Sequence, residues 1–292
     1  MKRDGAAPQA VRQLALRFRC ADGAGGADAG ARMVGILSLP AAPGPRGVLV
    51  VTGGPQYRAG SHRQFTLLAC ALAARGIPVL RFDVRGMGDS EGAPRDYRAI
   101  GDDIGGALAC FFDAVPALRE VVLWGLCDGA TAAACHAAGD ARVAALVLLN
   151  PWVRSETGLA RATLRHYYLP RLLQPAFWRT LARGGLRLGA SLASLRRVAA
   201  AARHAGADDG QPAAALLHAL QRFPGKVLLI LSGDDLGARE WLQLQRGDPA
   251  WRAVCARAQW TRERVDGANH TFASAAWRAD VERLCAHWIA TW

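Results

Sequence analysis

Short runs of apolar residues alternate with longer stretches in which apolar positions recur every three or four residues, and the alternation persists over the first 150 residues. RQLALRF and RMVGILSL read as an opening antiparallel pair, joined by the Gly- and Ala-rich turn ADGAGGADAGA. GVLVVT, residues 47–52, predicts a buried strand, FTLLACALAARG a helix closed by Gly76, and IPVLRFD the next strand. The rhythm continues through a helix around Ile100 to Val115, the strand VVLWG, a helix opening at Asp128 and the strand AALVLLN ending at Asn150. Such alternation predicts an α/β fold with a mostly parallel sheet.

After Asn150 the pattern changes. Residues 151–225 carry helical periodicity and no convincing strand; KVLLILS then resumes the sheet, and a last strand near Gln259 to Val265 leads into a terminal helix. The expected organisation is a core in two parts, 1–150 and 226–292, with a helical cap inserted at 151–225. No fixed-period repeat is present.

Composition narrows the function classes. A chain of 292 residues with 51% hydrophobic residues can bury a substantial core. It has no stretch of 18 apolar residues and no signal-like apolar segment in MKRDGAAPQAVRQLALRF, so a soluble protein is expected. The seven cysteines show no C-x-x-C or metal-ligand spacing, which points to a reducing cytoplasm. The formal charge of +12 comes almost wholly from arginine, Lys2 and Lys226 being the only lysines. Such a bias is as readily a coding-composition effect as a binding surface, and no nucleic-acid partner is expected. Eleven arginines against Glu156, Asp208 and Asp209 place +8 of that charge in 151–225.

One cysteine stands in a distinctive setting. In WGLCDGA, Gly125, Cys127 and Gly129 form G-x-C-x-G between a predicted strand and a predicted helix. A strand that turns directly into a helix strains its central residue and leaves room only for small residues two before and two after. The helix N-terminus favours thiolate over thiol, and backbone N–H groups there can hold a developing oxyanion. Cys70, Cys110, Cys135, Cys255 and Cys285 lie in apolar helical patterns and read as packing residues.

These features resemble the α/β-hydrolases. RFDVRGMGDSEG, residues 81–92, is similar to the D-x-R-G-x-G-x-S-x-G segment after the fourth strand of many members, and it precedes the cysteine elbow in the family's order. More narrowly, TGGPQYRAGSHRQF, GLCDGA, SGDDL and NHTF resemble the first hydrolase family associated with exosortase A gene clusters, bacterial proteins found with exopolysaccharide and protein-sorting genes. The resemblance implies a mostly parallel sheet with helices on both faces, and a chain order of nucleophile, acid, histidine.

Asp234 and Asp235 both follow KVLLILSG, where a carboxylate could orient an imidazole or cap the helix beginning near Leu236; Asp235 is the preferred acid. His270, in DGANHTFAS, is placed to act as base toward Cys127 and then as acid toward the leaving group. The oxyanion donors would be the backbone N–H groups of Asp128 and Gly54, since Pro55 has none to offer. Thr52 stands where the commoner H-G-x form has histidine, a departure that bears on which loop N–H is the second donor and not on the presence of one. Asp83 and Arg85 read as architectural, with Asp89 or Ser90 capping the next segment.

The set Cys127, Asp235 and His270 resembles the dienelactone-hydrolase variant of the fold and implies cleavage of a carboxylic ester or thioester through an acyl-enzyme, with no metal or cofactor. Transfer of the acyl group to a hydroxyl or amine fits the same residues, and a catalytically idle binding protein is the reading from another class. The expected partner is a small or amphiphilic acyl substrate. LRHYYLPRLLQPAFWRTLARGGLRLG alternates arginines with Tyr167, Tyr168, Phe177 and Trp178, which suits such a substrate, peripheral membrane contact, or a solvated lid.

Overall fold

The computed structural model describes residues 10–20, 30–53, 56–153 and 211–292. The chain divides into two compact units, Met1–Trp152 with Leu216–Trp292, and Val153–Ala215. The first unit carries the sheet. β1 (Val11–Arg19) and β2 (Arg32–Pro40) pair antiparallel, as the apolar pattern predicts, and β2 runs antiparallel to β4 (Val79–Phe82). β3 (Arg46–Val51), β5 (Glu120–Leu126), β6 (Val143–Leu149), β7 (Lys226–Ser232) and β8 (Trp260–Val265) complete the sheet in parallel, giving the order β1-β2-β4-β3-β5-β6-β7-β8.

The central strands are continuous apolar runs because both their faces are covered. On one face Val48, Val50, Val122, Trp124, Val147 and Ile230 pack with α1 (Gln64–Ala73) and α7 (Ala275–Ile289) through Phe65, Leu72, Val281 and Cys285. The alternate residues, among them Leu49, Leu123, Leu146 and Leu148, are equally buried. Helices α2 (Gly101–Ala114) and α3 (Asp128–Ala137) touch each other and pack on β3 and β5. The edge strand β8 instead exposes Arg262 and Arg264, charges that discourage pairing with another chain. Helices α5 (Leu236–Gly247) and α6 (Pro249–Cys255) join through Trp241 and Trp251, whose rings meet edge-on with centroids 4.8 Å apart.

Most of the expected cap, with its aromatic and arginine residues, lies outside the described residues, as does the turn before Gly30. The described end of that segment forms α4 (Gln211–Arg222). Among the described residues no helix is long and apolar enough to cross a membrane.

The loop after β4 is architectural, in a different way from that expected. Asp83 is fully buried; it accepts the N–H of Arg58 at 2.7 Å and that of Asp89 at 3.0 Å, and pairs with the Arg58 guanidinium. Ser90 caps no helix, since the next one begins only at Gly101. Its hydroxyl donates to the Asp83 carbonyl at 2.7 Å and accepts the Val34 N–H at 3.0 Å, tying the loop back to β2. Arg85 and Asp103 form a buried pair, Nε to Oδ1 at 2.5 Å, and the Arg85 N–H donates to Oδ2 at 2.9 Å. Removing one partner of such a pair strands the other charge, so Asp103→Ala is expected to cost about 3–5 kcal/mol, read as a lowered urea midpoint.

Candidate active site

The strand order reverses at β3, which lies between β4 and β5, and loops leaving the carboxyl ends of the strands on either side of such a point diverge to leave a crevice. β5 ends at Leu126 and α3 begins at Asp128, so Cys127 alone makes the turn. Its φ of 60° and ψ of −127° lie in a region that costs a non-glycine residue about 1–3 kcal/mol. The surroundings hold it there. The Cys127 N–H donates to the Leu149 carbonyl at 3.0 Å, and its carbonyl accepts the N–H groups of Ala130 and Trp152, each at 3.1 Å.

The flanking glycines are required by close approach. A Cβ at Gly125 would stand 2.6 Å from the backbone of Ala130, and one at Gly129 would stand 2.6 Å from the Val51 carbonyl oxygen. Gly53, in the loop after β3, is tighter still: its Cβ would fall 2.1 Å from Asp128 Oδ1 and 2.3 Å from the Gly129 nitrogen. The loop after β3 is thereby pressed against the start of α3. Thr52 is buried, and the Asp128 carboxylate accepts the Gly129 N–H at 3.1 Å. Gly54, the expected second oxyanion donor, lies outside the described residues.

Of the two adjacent aspartates, Asp235 faces the histidine. His270 Nδ1 stands 3.0 Å from Asp235 Oδ1, while Asp235 Oδ2 accepts the Ala238 N–H at 2.9 Å and caps α5. The capping and imidazole-orienting readings of this carboxylate therefore hold together, one oxygen for each. Asp234 is largely exposed and pairs with Arg239 at 2.9 Å. The Asp235 hydrogen bond, followed by one between His270 and Cys127, raises the imidazole pKa to about 10 against the opposing effect of burial. The structure thus brings Cys127, His270 and Asp235 into one hydrogen-bonded line.

Of the other cysteines, Cys20 and Cys285 are buried and both thiols are pushed up to about 12, chiefly by burial. Burial raises Cys110 and Cys255 to about 11, and Cys135 in the same direction. Cys70 departs from the packing expectation: it is exposed, on the outward side of α1, because helical periodicity assigns a face only approximately. Among the described residues no group of three or more His, Cys, Asp or Glu side chains is placed to hold a metal ion.

Sequence reasoning missed two polar residues beneath the histidine loop, Asn150 and Ser232, both buried and joined by hydrogen bonds of 2.6 and 2.9 Å. The available signal was a polar residue closing each of two successive apolar strands, LVLLN and VLLILS.

A family model described as Alpha/beta hydrolase family matches residues 48–288, which span the sheet from β3 to the terminal helix. The chain belongs to the alpha/beta hydrolase family. Solved structures share the fold of this hydrolase at low identity. An esterase of Pyrococcus furiosus aligns at 13% identity over 97% of this chain and 93% of its own, with a TM-score of 0.60. A dienelactone hydrolase of Anabaena variabilis aligns at 16% over 97% and 98%, also at 0.60. The alpha/beta hydrolase GrgF of a Penicillium species aligns at 19% over 96% and 97%, at 0.59. In sequence, the polyketide transferase grgF of Penicillium sp. is 38% identical over 85 residues, 27% of this chain and 29% of that protein's length.

Proposed function

We propose that this hydrolase cleaves a carboxylic ester or thioester through an acyl-enzyme on Cys127. The observation that carries the reading is the strained turn that presents Cys127 to an imidazole whose other side is held 3.0 Å from Asp235. The imidazolium beside the sulfur places a positive charge next to the nucleophile, whose reactive form is the thiolate. The thiolate attacks the carbonyl carbon, and the resulting oxyanion is received by backbone N–H groups at the start of α3 and in the loop after β3. His270 gives its proton to the departing alkoxide or thiolate, leaving a thioester on Cys127 and a neutral imidazole. Water then loses a proton to His270 as it attacks, and collapse releases the carboxylic acid and restores the thiolate–imidazolium pair.

Acyl transfer is the second reading, and the partial likeness to a polyketide transferase favours it. It differs only in the final acceptor, a hydroxyl or amine in place of water. The motifs GLCDGA, SGDDL and NHTF support a role beside bacterial exosortase and exopolysaccharide systems, the cysteine usage supports a cytoplasmic place, and the arginine- and aromatic-rich cap segment supports an amphiphilic acyl substrate.

The test is to mix the protein with p-nitrophenyl esters and acyl thioesters of increasing chain length, quench in acid and map the acyl mass. The reading expects a burst of leaving group and an adduct on the Cys127 peptide. Turnover with the adduct on another residue, or no adduct and no burst across the panel, would sink it. Adding alcohols and amines separates the two acceptors, because transfer yields a new ester or amide at the expense of free acid.

A further inference from the structure

β6 and β7 lie side by side, and the turn after β6 touches both partners of the site. Its Leu149 carbonyl accepts the Cys127 N–H at 3.0 Å, and its Trp152 N–H donates to the Cys127 carbonyl at 3.1 Å. Between them stands Asn150, 1% exposed, at a φ of 41° that asparagine tolerates better than most residues. Its amide makes three hydrogen bonds, using both N–H donors. Oδ1 accepts the Ser232 N–H at 2.9 Å, while Nδ2 donates to Ser232 Oγ at 2.6 Å and to the His270 carbonyl at 3.1 Å. Ser232 Oγ in turn donates to the Asn269 carbonyl at 2.9 Å. Two consecutive carbonyls of the histidine loop are thus tied to the ends of two sheet strands, and Asp235 leaves β7 only three residues after Ser232.

We propose that Asn150, acting with Ser232, is a positioning residue that sets the distance between the His270 imidazole and Cys127 by clamping the backbone of the histidine loop to the turn that also holds the Cys127 backbone. The inference rests on the Cys127–His270 reading given above. Neither side chain touches the reacting atoms. Both act through main chain, where a shift of the His270 carbonyl carries the ring with it, away from the sulfur or from Asp235. The groups acting on the imidazole are Asp235 and Cys127; the neighbouring Asp234 is engaged with Arg239.

The experiment measures carbamidomethylation of Cys127 in the full chain by iodoacetamide from pH 5 to 9, with thermal melting in parallel. The variants are Asn150→Gly, which keeps the positive φ and removes the amide, and Ser232→Ala, which removes one link. Phe111→Leu perturbs the core against Gly47 at the far end of β3 and serves as a control for general destabilisation. Asn150→Gly is expected to react about tenfold more slowly at pH 6, with its profile displaced about one pH unit upward. Ser232→Ala should move the same way by less, and Phe111→Leu should melt earlier with the wild-type profile. Folded variants whose profiles superimpose on wild type overturn the proposal, as does an equal displacement in Phe111→Leu. If Asn150→Gly does not fold, Ser232→Ala decides. A wild-type Cys127 no faster than the other cysteines, or indifferent to His270→Ala, overturns the underlying reading and this one with it; a fast, His270-dependent thiol with unmoved variants overturns the clamp alone.

Discussion

Cys127→Ala is expected to lower kcat/KM on any ester or thioester that the protein turns over by about 10⁴-fold or more, with little loss of stability. Removing a nucleophile deletes the covalent route and leaves only the contribution of the oxyanion donors and binding, a small remainder in comparable triads. Stability should hold because the side chain is only partly buried, and because the strained backbone is fixed by hydrogen bonds to the Leu149 carbonyl and from the Ala130 and Trp152 N–H groups that do not involve the sulfur. Steady-state kinetics beside a melting curve checks both halves. Retention of most activity by a well-folded Cys127→Ala protein would move the chemistry elsewhere. Cys127→Ser is informative in a different way: it keeps the geometry but replaces a readily ionised thiol by a hydroxyl, and should recover only part of the loss.

The second large effect lies in the pH dependence of the same thiol. With the His270 pKa raised to about 10, the imidazolium persists through the neutral range, and alkylation of Cys127 at about pH 6 should depend on that charge. An ordinary thiol of pKa ≈ 8.5 is almost wholly protonated there. His270→Ala removes the counter-charge and is expected to slow alkylation at pH 6 by about 100-fold, the difference narrowing as the pH rises. The sign for stability comes from the same direction of shift. A group whose pKa is higher in the folded state binds its proton more tightly there, so its contribution is complete below the unfolded value near 6.5 and is lost as the pH rises through about 10. Wild type should therefore lose melting temperature across that interval more steeply than His270→Ala. Its magnitude is small, since the histidine side chain is 40% exposed and solvent screens the pair. Equal slopes for the two proteins, together with equal alkylation rates at pH 6, would mean that the imidazole and thiol do not act as a pair.

Much of this architecture is legible in the sequence because buried parallel strands and amphipathic helices impose different spacings on apolar residues. GVLVV and VVLWG mark strands covered on both faces, and GLCDGA marks the turn from strand to helix, since only small residues fit where Gly125 and Gly129 meet Ala130 and Val51. Local pattern likewise separates Cys127 from the six other cysteines. Choices among residues that share one local pattern are another matter. Asp234 and Asp235 follow the same strand, and their spacing prefers Asp235 without excluding Asp234; the direction in which the chain leaves β7 turns Asp235 toward His270 and Asp234 toward Arg239. Ser90 has the composition of a helix cap, yet bonds to β2, because its partner, Val34, lies 56 residues away.

The order of elements, the place of the elbow and the kinds of residue that could work there are consequences of local sterics and periodicity, and the amino-acid order alone fixes them. Folding in three dimensions was needed to bring the preferred aspartate to the imidazole, to give its second oxygen to the cap of α5, and to tie the histidine loop to the end of the sheet through Asn150 and Ser232. The physical reason is range: a hydrogen bond acts over about 3 Å in space, and the chain separations it bridges here, 35 residues between Asp235 and His270 and 120 between Asn150 and His270, leave no trace in local pattern.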